Sequence, residues 1–355
     1  MSEKCTLGMI YGGKSSEHEV SLLTAFSVME AVDYNKYDVL PIYIQLDGTW
    51  VRGQRYTSKP SSLQEVRLKA GETVSLFDLK QDIDVAFPVI HGPYGEDGTL
   101  QGLLEMIDVP YVGSGVLGSS LGMDKVMMKH MFAHFDLPQC KYLSFTRHEI
   151  KTNEAQVTNE VEETLGFPCF VKPVNLGSSV GISKAKDKTA LVKALQEAAK
   201  YDRKVIVEEM LVGREVEVGL LGNDEPLTSV VGEIRSVNEF YDYSAKYKNI
   251  GTELDIPADL PEDVVQRIQS VAKKAYQVLE CSGLSRADFF YNEDQDQVWI
   301  NEVNTMPGFT PYSMYPMLFK STGISYPELI EKLISLGLER YEERKQNQVE
   351  AESLE

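Results

Sequence analysis

The sequence predicts a mixed α/β and α+β protein of three units, of which the first is a parallel α/β domain. Apolar runs at residues 39–44 and 85–90 predict strands, and helical periodicity appears at residues 20–29 and 100–107. Strand and helix signals that alternate in this way indicate a parallel sheet with helices on its faces. After residue 113 the pattern changes to mixed strands and helices, which predicts two further units.

Breaks in this pattern set the expected boundaries. A Gly-Ser-Gly sequence begins at Gly113, and a hinge-like Leu-Val-Gly sequence begins at Leu211. Between them, the residues after Gly115 predict one long helix at 117–135, followed by an α+β unit. The expected divisions are residues 1–113, 114–211 and 212–345, with a lid loop at 236–253 and a disordered tail at 346–355.

Composition excludes several classes of function. The 35 basic and 54 acidic residues give a net charge of −19, which argues against nucleic acid or an anionic membrane as a partner. The four cysteines form no CxxC pair, so neither a zinc site nor a redox motif is predicted. Because no signal-peptide core or membrane-spanning apolar stretch is present, we expect a cytoplasmic protein.

Two apolar runs near the carboxyl end carry oxygen-bearing side chains. Arg286 and Asp288 lie on one run, and Glu302 and Asn304 lie on the next. Alternate residues of a strand point the same way, so two adjacent strands would bring Asp288, Glu302 and Asn304 to one face. Such oxygen ligands suit a hard divalent cation, and the sequence therefore predicts a magnesium site that receives a nucleotide's phosphates.

A glycine- and serine-rich loop follows a strand that ends in Lys172. Gly177 and Gly181 allow backbone N–H groups to approach a phosphate closely, and Ser178 and Ser179 add hydroxyl donors. The loop matches neither a Walker motif nor a Rossmann fingerprint, and by itself it is as compatible with an ordinary turn. The strand-end lysine and the predicted metal site favour the phosphate-binding interpretation.

The strand at residues 205–208 leads to the predicted hinge. Backbone groups of this edge, including those of Glu209 and Leu211, are suited to adenine, and Glu208 or Glu215 can accept from ribose hydroxyls. The alternative, an acidic strand terminus with no ligand, fits this segment equally well when it is taken alone.

In their order along the chain, these motifs resemble the ATP-grasp fold, and more narrowly the D-alanine–D-alanine ligases of bacterial wall synthesis. The resemblance covers nearly the whole chain except the loop near residues 52–75 and the tail. The motifs that carry it begin at Gly12 (GGKSSEHEVS), His91 (HGPYGEDG), Met123 (MDK), Val171 (VKP), Gly177 (GSSVG), Tyr241 (YDYSAKY), Arg286 (RAD) and Asn301 (NEVNTMPG).

The resemblance implies a reaction and its cofactors. The family phosphorylates the carboxylate of one D-alanine with ATP, and the amine of a second D-alanine then displaces phosphate, which supplies peptidoglycan precursor. Lys125 and Lys172 would hold the ATP phosphates as point charges. Asp288, Glu302 and Asn304 would hold two Mg²⁺ ions, with Mn²⁺ as a substitute.

Further roles follow from the same resemblance. Arg286 and the N–H of Gly308 would form an oxyanion hole, although Arg286 could instead make a structural ion pair. Glu17 would accept the ammonium of the first D-alanine, or simply complement the dipole of a helix that a serine at 15 or 16 caps. His91 would line that site, and Ser313 would bind the carboxylate of the second D-alanine, unless it is only a turn serine.

The tyrosine-rich loop would act as a lid that shields the acyl phosphate from water. Its Lys246 would bind ATP, and Tyr247 would hydrogen-bond with Ser178 and Glu17. Relatives that add D-lactate typically lack this tyrosine, so its presence favours D-alanine in the second position. The same residues could instead mark an amphipathic strand.

The expected partners are ATP and two molecules of D-alanine, with neither nucleic acid nor membrane, and the resemblance is compatible with a homodimer. One competing hypothesis is a ligase that uses D-lactate or D-serine as the second substrate. Another is a nucleotide-binding protein that has lost catalysis, although the intact Arg286, Asp288 and Glu302 argue against it.

Overall fold

The structure, a computed structural model, describes residues 4–68, 71–178, 180–236 and 252–348. The described strands form three sheets, of five, four and five strands along the chain, and helices cover their apolar faces. The predicted lid residues Tyr241, Lys246 and Tyr247 lie outside the described residues, as does Ser179.

The first sheet has the strand order β4-β3-β2-β1-β5. Its central strands β1, β2 and β5 are parallel, as predicted, because their uninterrupted apolar runs are buried on both faces. Strands β3 and β4 extend it in antiparallel fashion. The strands are β1 (Cys5–Gly12), β2 (Tyr37–Ile44), β3 (Trp50–Arg52), β4 (Glu72–Thr73) and β5 (Val85–Pro88).

Helices lie on both faces of this sheet. Leu22 and Val28 of the first helix pack on one face, and Leu100 and Leu104 of the fourth pack on the other. Leu100 and Leu104 are four residues apart and therefore lie on the same face of the fourth helix. The helices are α1 (His18–Ala31), α2 (Leu63–Val66), α3 (Leu79–Asp82) and α4 (Thr99–Met106).

The second sheet has the order β6-β9-β7-β8 and is antiparallel throughout. Val171 and Val207 point from it into a core that the three following helices cover. Its opposite face carries Lys172 and Glu208. The strands are β6 (Tyr142–Thr146), β7 (Cys169–Pro173), β8 (Ser183–Ala185) and β9 (Lys204–Glu209), and the helices are α7 (Arg147–Thr152), α8 (Glu154–Thr164) and α9 (Lys188–Tyr201).

The prediction of a single helix at residues 117–135 is wrong. The chain instead forms α5 (Val116–Met123) and α6 (Lys125–His134), separated at Asp124. Asp124 has an extended backbone (φ −85°, ψ 98°), and its carboxylate accepts hydrogen bonds from the N–H groups of Val126 and Met127. This N-cap starts a new helix and places Lys125 at its first position.

The third sheet has the order β12-β11-β10-β13-β14 and is antiparallel. Val264, Ile268 and Ala272 cover it from one helix at intervals of four residues. Its strands are β10 (Arg214–Gly222), β11 (Leu227–Ser236), β12 (Thr252–Asp255), β13 (Gly283–Asn292) and β14 (Gln297–Asn304), and its helices are α10 (Glu262–Val278), α11 (Met314–Ser321) and α12 (Tyr326–Arg344).

The last helix returns to the beginning of the chain. Leu329 and Leu333 of α12 lie in the same buried cluster as Leu7 and Met9 of β1, so the first core is built from both ends of the sequence. No helix in the described ranges is both long and apolar enough to cross a membrane. The proposed unit boundaries, and the disorder predicted for the tail, remain predictions.

Candidate active site

The predicted magnesium ligands lie side by side on β13 and β14. Asp288 is opposite Glu302, and Arg286 is opposite Asn304, so the prediction that Asp288, Glu302 and Asn304 share one face of adjacent strands is confirmed. A bulge follows Asp288, which re-aims the side chains at this end of the hairpin. Two carboxylates directly opposite each other repel, and this arrangement suits a bound cation.

Arg286 is held between two carboxylates. Its Nε and Nη2 donate to the two oxygens of Asp288, at 2.6 and 2.7 Å, and Nε also lies 2.8 Å from Glu217 Oε2. Burial acts to lower the pKa of Arg286, but the attraction of Asp288 and Glu217 outweighs it and raises that pKa well above its ordinary value. The ion pair considered as an alternative role for Arg286 is therefore present.

Glu217 was missed by the sequence analysis. It lies opposite Asp288 across β10 and β13, on the face of the sheet that points away from the core. The sequence could have indicated Glu217, because it lies two residues after the predicted site residue Glu215 on β10, and residues two apart on a strand share a face. Glu217 is 6% exposed and supplies the second carboxylate that holds Arg286.

The metal-binding interpretation fits the donors present. Asn304 Nδ2 donates to Asp288 Oδ2 at 2.9 Å, which leaves the amide oxygen of Asn304 as a ligand beside the carboxylates of Asp288 and Glu302. Hard oxygen donors of this kind are those that Mg²⁺ prefers. Among the described residues no group of three or more His, Cys, Asp and Glu is arranged as a metal site, so the amide is needed to complete this set.

Lys125 connects the central unit to the metal strands. Its Nζ donates to the carbonyl of Leu176 at 2.9 Å and lies 3.6 Å from Glu302 Oε2. The ammonium group of Lys125 thus contacts both the glycine- and serine-rich loop and the hairpin of β13 and β14. A phosphate that bridges loop and metal would lie beside this ammonium group.

Lys172 and Glu208 form a largely buried ion pair on the face of the second sheet opposite Val171 and Val207. Lys172 Nζ is 2.6 Å from Glu208 Oε2, and Lys129 Nζ of α6 is 3.0 Å from Oε1. Burial acts to raise the pKa of Glu208, but the two lysines outweigh it and lower that pKa to about 2. Lys129 was not predicted as a site residue, because a lysine within a predicted helix carries no sequence signal for a functional role.

The remaining predicted nucleotide residues lie near the end of β9 and on β10. Glu209 Oε1 accepts from the N–H of Lys141 at 2.7 Å, which holds the end of β9 against the start of β6. Leu211 lies in the short connection to β10, and Glu215 lies two residues before Glu217 on the same face. They therefore lie along the seam between the second and third sheets.

Glu17 and Ser178 meet across the cleft. The hydroxyl of Ser178, which has φ +52°, donates to the Glu17 carboxylate, and Glu17 is 7% exposed. The predicted serine cap at residue 15 or 16 is wrong: α1 begins at His18, and Glu17 occupies the N-cap position without a side-chain cap bond. Ser15 Oγ instead accepts from the N–H of Glu17 at 3.2 Å, so the serine positions the glutamate.

His91 is buried behind Glu17. Burial lowers the pKa of His91 despite the opposing attraction of Glu17, so the ring is neutral at neutral pH. Nδ1 lies 3.3 Å from the carbonyl of Met306, which can only accept, and Nε2 lies 3.2 Å from Thr24 Oγ1. The proton therefore belongs on Nδ1, and Thr24 donates to Nε2.

Glu96 was also missed as a site residue, although it lies in the motif that starts at His91. Its carboxylate is 3.8 Å from His91 Nδ1 and accepts from the N–H of Gly92 at 2.7 Å. Burial, reinforced by the charge of Glu17, raises the pKa of Glu96 to about 8, while Lys125 and Arg286 oppose the shift. The pKa of Glu96 thus depends on charged residues from three separate segments of the chain, Glu17, Lys125 and Arg286.

Gly308 and Ser313 form a compact turn after β14. A Cβ at Gly308 would lie 3.1 Å from Ser313 Oγ, so glycine allows the serine to approach the backbone closely. Ser313 Oγ accepts from the N–H of Thr310 at 3.1 Å and directly precedes α11. The N–H of Gly308 has no hydrogen-bond partner among the described residues.

Two family models match the chain. The model of the D-ala D-ala ligase N-terminus matches residues 6–114, and that of the D-ala D-ala ligase C-terminus matches residues 131–335. Together they include each predicted site residue except Lys125.

Similar proteins and structures carry related names. The chain is 52% identical to the D-alanine–D-alanine ligase of Geobacillus kaustophilus, over 96% of each chain. It resembles the VanG D-Ala:D-Ser ligase of Enterococcus faecalis, with 34% identity, a TM-score of 0.81 and coverage of 94% and 100% of the two chains. The D-alanine–D-alanine ligase of Bacillus anthracis complexed with ATP is 27% identical, with a TM-score of 0.74 and coverage of 96% and 99%.

Proposed function

Because the chain belongs to the family of D-alanine–D-alanine ligases, and is therefore an ATP-dependent ligase, we propose that the cleft described above joins two D-alanine molecules. The product, D-alanyl-D-alanine, supplies peptidoglycan synthesis. The observation that carries the assignment is the meeting of two pairs from separate parts of the chain, Ser178 with Glu17 and Lys125 with Glu302. The paired side chains of Arg286 and Asp288 lie on the strand next to that of Glu302.

ATP lies along the seam between the second and third sheets in this proposal. Lys125 and Lys172 hold the phosphates, and Ser178 adds a donor from the glycine- and serine-rich loop. The purine and ribose are bound by the end of β9 and by β10, through the residues Glu208, Glu209, Leu211 and Glu215. Ser179 and Lys246 complete the nucleotide set as predictions outside the described residues.

Asp288, Glu302 and Asn304 are the residues that would hold two Mg²⁺ ions, with Mn²⁺ as a substitute. When bound, these ions neutralise charge on the phosphoryl group during its transfer. Arg286 keeps Asp288 oriented through its paired hydrogen bonds, so that the carboxylate presents a defined geometry.

The first D-alanine binds at the start of α1. Glu17 accepts its ammonium group, and the hydrogen bonds from Ser178 and from the Glu17 N–H to Ser15 restrict the carboxylate. His91 lines the same pocket as a neutral ring. Phosphorylation of the substrate carboxylate then gives a D-alanyl phosphate, whose carbonyl carbon is open to attack.

The second D-alanine binds near the turn after β14. Ser313 binds its carboxylate, and its amine attacks the carbonyl carbon of the acyl phosphate, from which inorganic phosphate leaves as the amide bond forms. Arg286 and the N–H of Gly308 stabilise the negative oxygen of the tetrahedral intermediate, each for about 3 kcal/mol of barrier. Nη1 of Arg286 has no hydrogen-bond partner among the described residues, which leaves a donor for this task.

Tyr247 is proposed to join Glu17 and Ser178 and to favour D-alanine over D-lactate as the second substrate. A homodimer is a further proposal that rests on the family resemblance, and a cytoplasmic location remains the expectation drawn from the sequence.

The test of the proposed function is phosphate release from ATP in the presence of D-alanine, with L-alanine as the stereochemical control. We expect release with the D-isomer only, and D-alanyl-D-alanine as the product. Product analysis in mixtures with D-lactate and D-serine tests the second site. Equal turnover of D- and L-alanine would contradict the assignment. So would a product that joins D-alanine to D-lactate or D-serine in preference to D-alanyl-D-alanine.

A further inference from the structure

Lys129 is a fully buried lysine on α6. Only 1% of its surface is exposed, although lysine is among the residue types that are least often buried. Its ammonium group lies 3.0 Å from Glu208 Oε1 and 3.4 Å from Cys140 Sγ, and 5.7 Å above the centre of the Tyr142 ring. Since burial of an ammonium group is costly, its position must be maintained by these contacts.

Glu208 has more cations than charge balance requires. Lys172 already lies 2.6 Å from its other oxygen, so one carboxylate at 4% exposure is shared by two lysines. A structural ion pair would need only one of them. The cluster therefore carries one positive charge in excess, on the face of the second sheet that points into the cleft.

The two lysines approach Glu208 from different sides. Lys172 lies on β7, next to Glu208 on β9, and has 14% of its side-chain surface exposed. Lys129 comes from α6, one helical turn after Lys125, and its side chain is 2% exposed. Lys172 is thus the cation that can reach a ligand, and Lys129 is the one that cannot.

We propose, on the basis of the nucleotide site proposed above, that Lys129 is a positioning residue that anchors Glu208 from the helix side and so leaves Lys172 available for the ATP phosphates. Without Lys129, Lys172 is the only counterion of Glu208 among the residues that the structure describes. A phosphate must then compete with a buried carboxylate for that lysine. With Lys129 present, Glu208 keeps a partner when Lys172 moves to the nucleotide.

The test is the binding of Mg²⁺ and a non-hydrolysable ATP analogue, adenylyl imidodiphosphate, to the full chain by calorimetry. We expect Lys129→Met to raise the Kd at least about tenfold. In steady-state assays the KM for ATP should rise by a similar factor, whereas the KM for D-alanine should change little. Lys188→Met, which removes an exposed lysine paired with Glu162 on the same unit, serves as the control and should keep the wild-type Kd.

The same substitution made in a chain that carries Glu208→Gln distinguishes a positioning role of Lys129 from direct electrostatic attraction between Lys129 and the phosphates. In Glu208→Gln no carboxylate competes for Lys172, so adding Lys129→Met should change the Kd by less than about twofold. An equal loss in both backgrounds would mean that Lys129 acts directly or through the fold, and would overturn the proposal. So would a wild-type Kd for Lys129→Met.

Folding is checked by thermal denaturation of each variant. If Lys129→Met does not fold, Lys129→Gln replaces it, because the amide keeps a hydrogen-bond donor for Glu208 while removing the charge; the same two Kd changes are expected. A wild-type chain that binds no analogue would overturn the nucleotide site and this proposal together, whereas tight wild-type binding that Lys129→Met leaves intact overturns this proposal alone.

Discussion

Ser178 donates its hydroxyl hydrogen bond to the carboxylate of Glu17, although 161 positions separate the two residues in the sequence. This contact joins the loop after β7 to the start of α1, and so links the proposed nucleotide site to the proposed site of the first D-alanine. It also restricts a carboxylate that is expected to accept an ammonium group.

Ser178→Ala is expected to raise the KM for D-alanine about tenfold, because Glu17 loses a charge-assisted hydrogen bond that orients it. Initial-rate kinetics at saturating ATP measure this change. Ser335→Ala is the control, since the hydroxyl of that serine donates to a backbone carbonyl within its own helix, α12. An unchanged KM in Ser178→Ala would show that the contact does not orient Glu17 for substrate.

Gly92→Ala is expected to displace Glu17. A Cβ at Gly92 would lie 2.7 Å from Glu17 Oε2, and the backbone has φ +76°, which strains any L-residue. We expect a loss of stability of about 1–2 kcal/mol and a higher KM for D-alanine.

Gly323→Ala provides the matched comparison for this change. Gly323 has φ +100°, and an added Cβ would meet nothing within 4 Å. It should lose similar stability by chemical denaturation but keep the wild-type KM. Equal kinetic effects in both variants would rule out a specific clash with Glu17.

Arg286→Ala and Arg286→Lys are both expected to lower kcat at least about a hundredfold, because lysine keeps the charge but cannot reproduce the paired hydrogen bonds. Arg214→Ala removes a similar two-point pair with Glu233 in the same sheet and should leave kcat much closer to the wild type. Wild-type kcat in Arg286→Lys would refute the oxyanion role.

Glu302→Gln is expected to raise the Mg²⁺ concentration for half-maximal activity at least about tenfold, because one of two opposed carboxylates is lost. Titration of activity with Mg²⁺ at fixed ATP measures this effect. Asp296→Asn makes the same chemical change in the turn at the other end of the same hairpin, where Asp296 pairs with Arg267. A Mg²⁺ titration identical to that of the wild type would remove Glu302 from the metal site.

Glu96→Gln is expected to change the pH dependence of stability. The pKa of Glu96 is raised from 4.5 to about 8 in the folded chain, chiefly by burial, so between these values the folded state binds more protons than the unfolded state. Its contribution to the free energy of unfolding therefore falls as pH rises through this window. Glu96→Gln has no carboxyl group at this position, so this pH-dependent contribution to the free energy of unfolding is absent from the variant.

Urea denaturation of both chains from pH 5 to pH 9 measures the difference. The stability of Glu96→Gln relative to the wild type should increase with pH, by a few kcal/mol at most. A difference that stays constant or decreases with rising pH would show that Glu96 is ionised in the folded chain throughout.

Local pattern was sufficient for much of the architecture. The parallel strands β1, β2 and β5, and the placement of Asp288, Glu302 and Asn304 on one face of β13 and β14, follow from apolar runs and from alternation, which depend on near neighbours in sequence. The error at residues 117–135 was also local: apolar periodicity continued across Asp124, but the capping bonds of that residue ended one helix and began another.

By itself the sequence determined which chemical groups this protein has and on which strands and loops they lie, because side-chain alternation and turn chemistry act over a few residues. Only the tertiary structure decided which groups meet. Glu217 reaches Arg286, Lys129 reaches Glu208, and Ser178 reaches Glu17 because separate elements are packed to bury their apolar faces. The pKa values of such groups depend on that burial and on charges from distant segments, which no local pattern records.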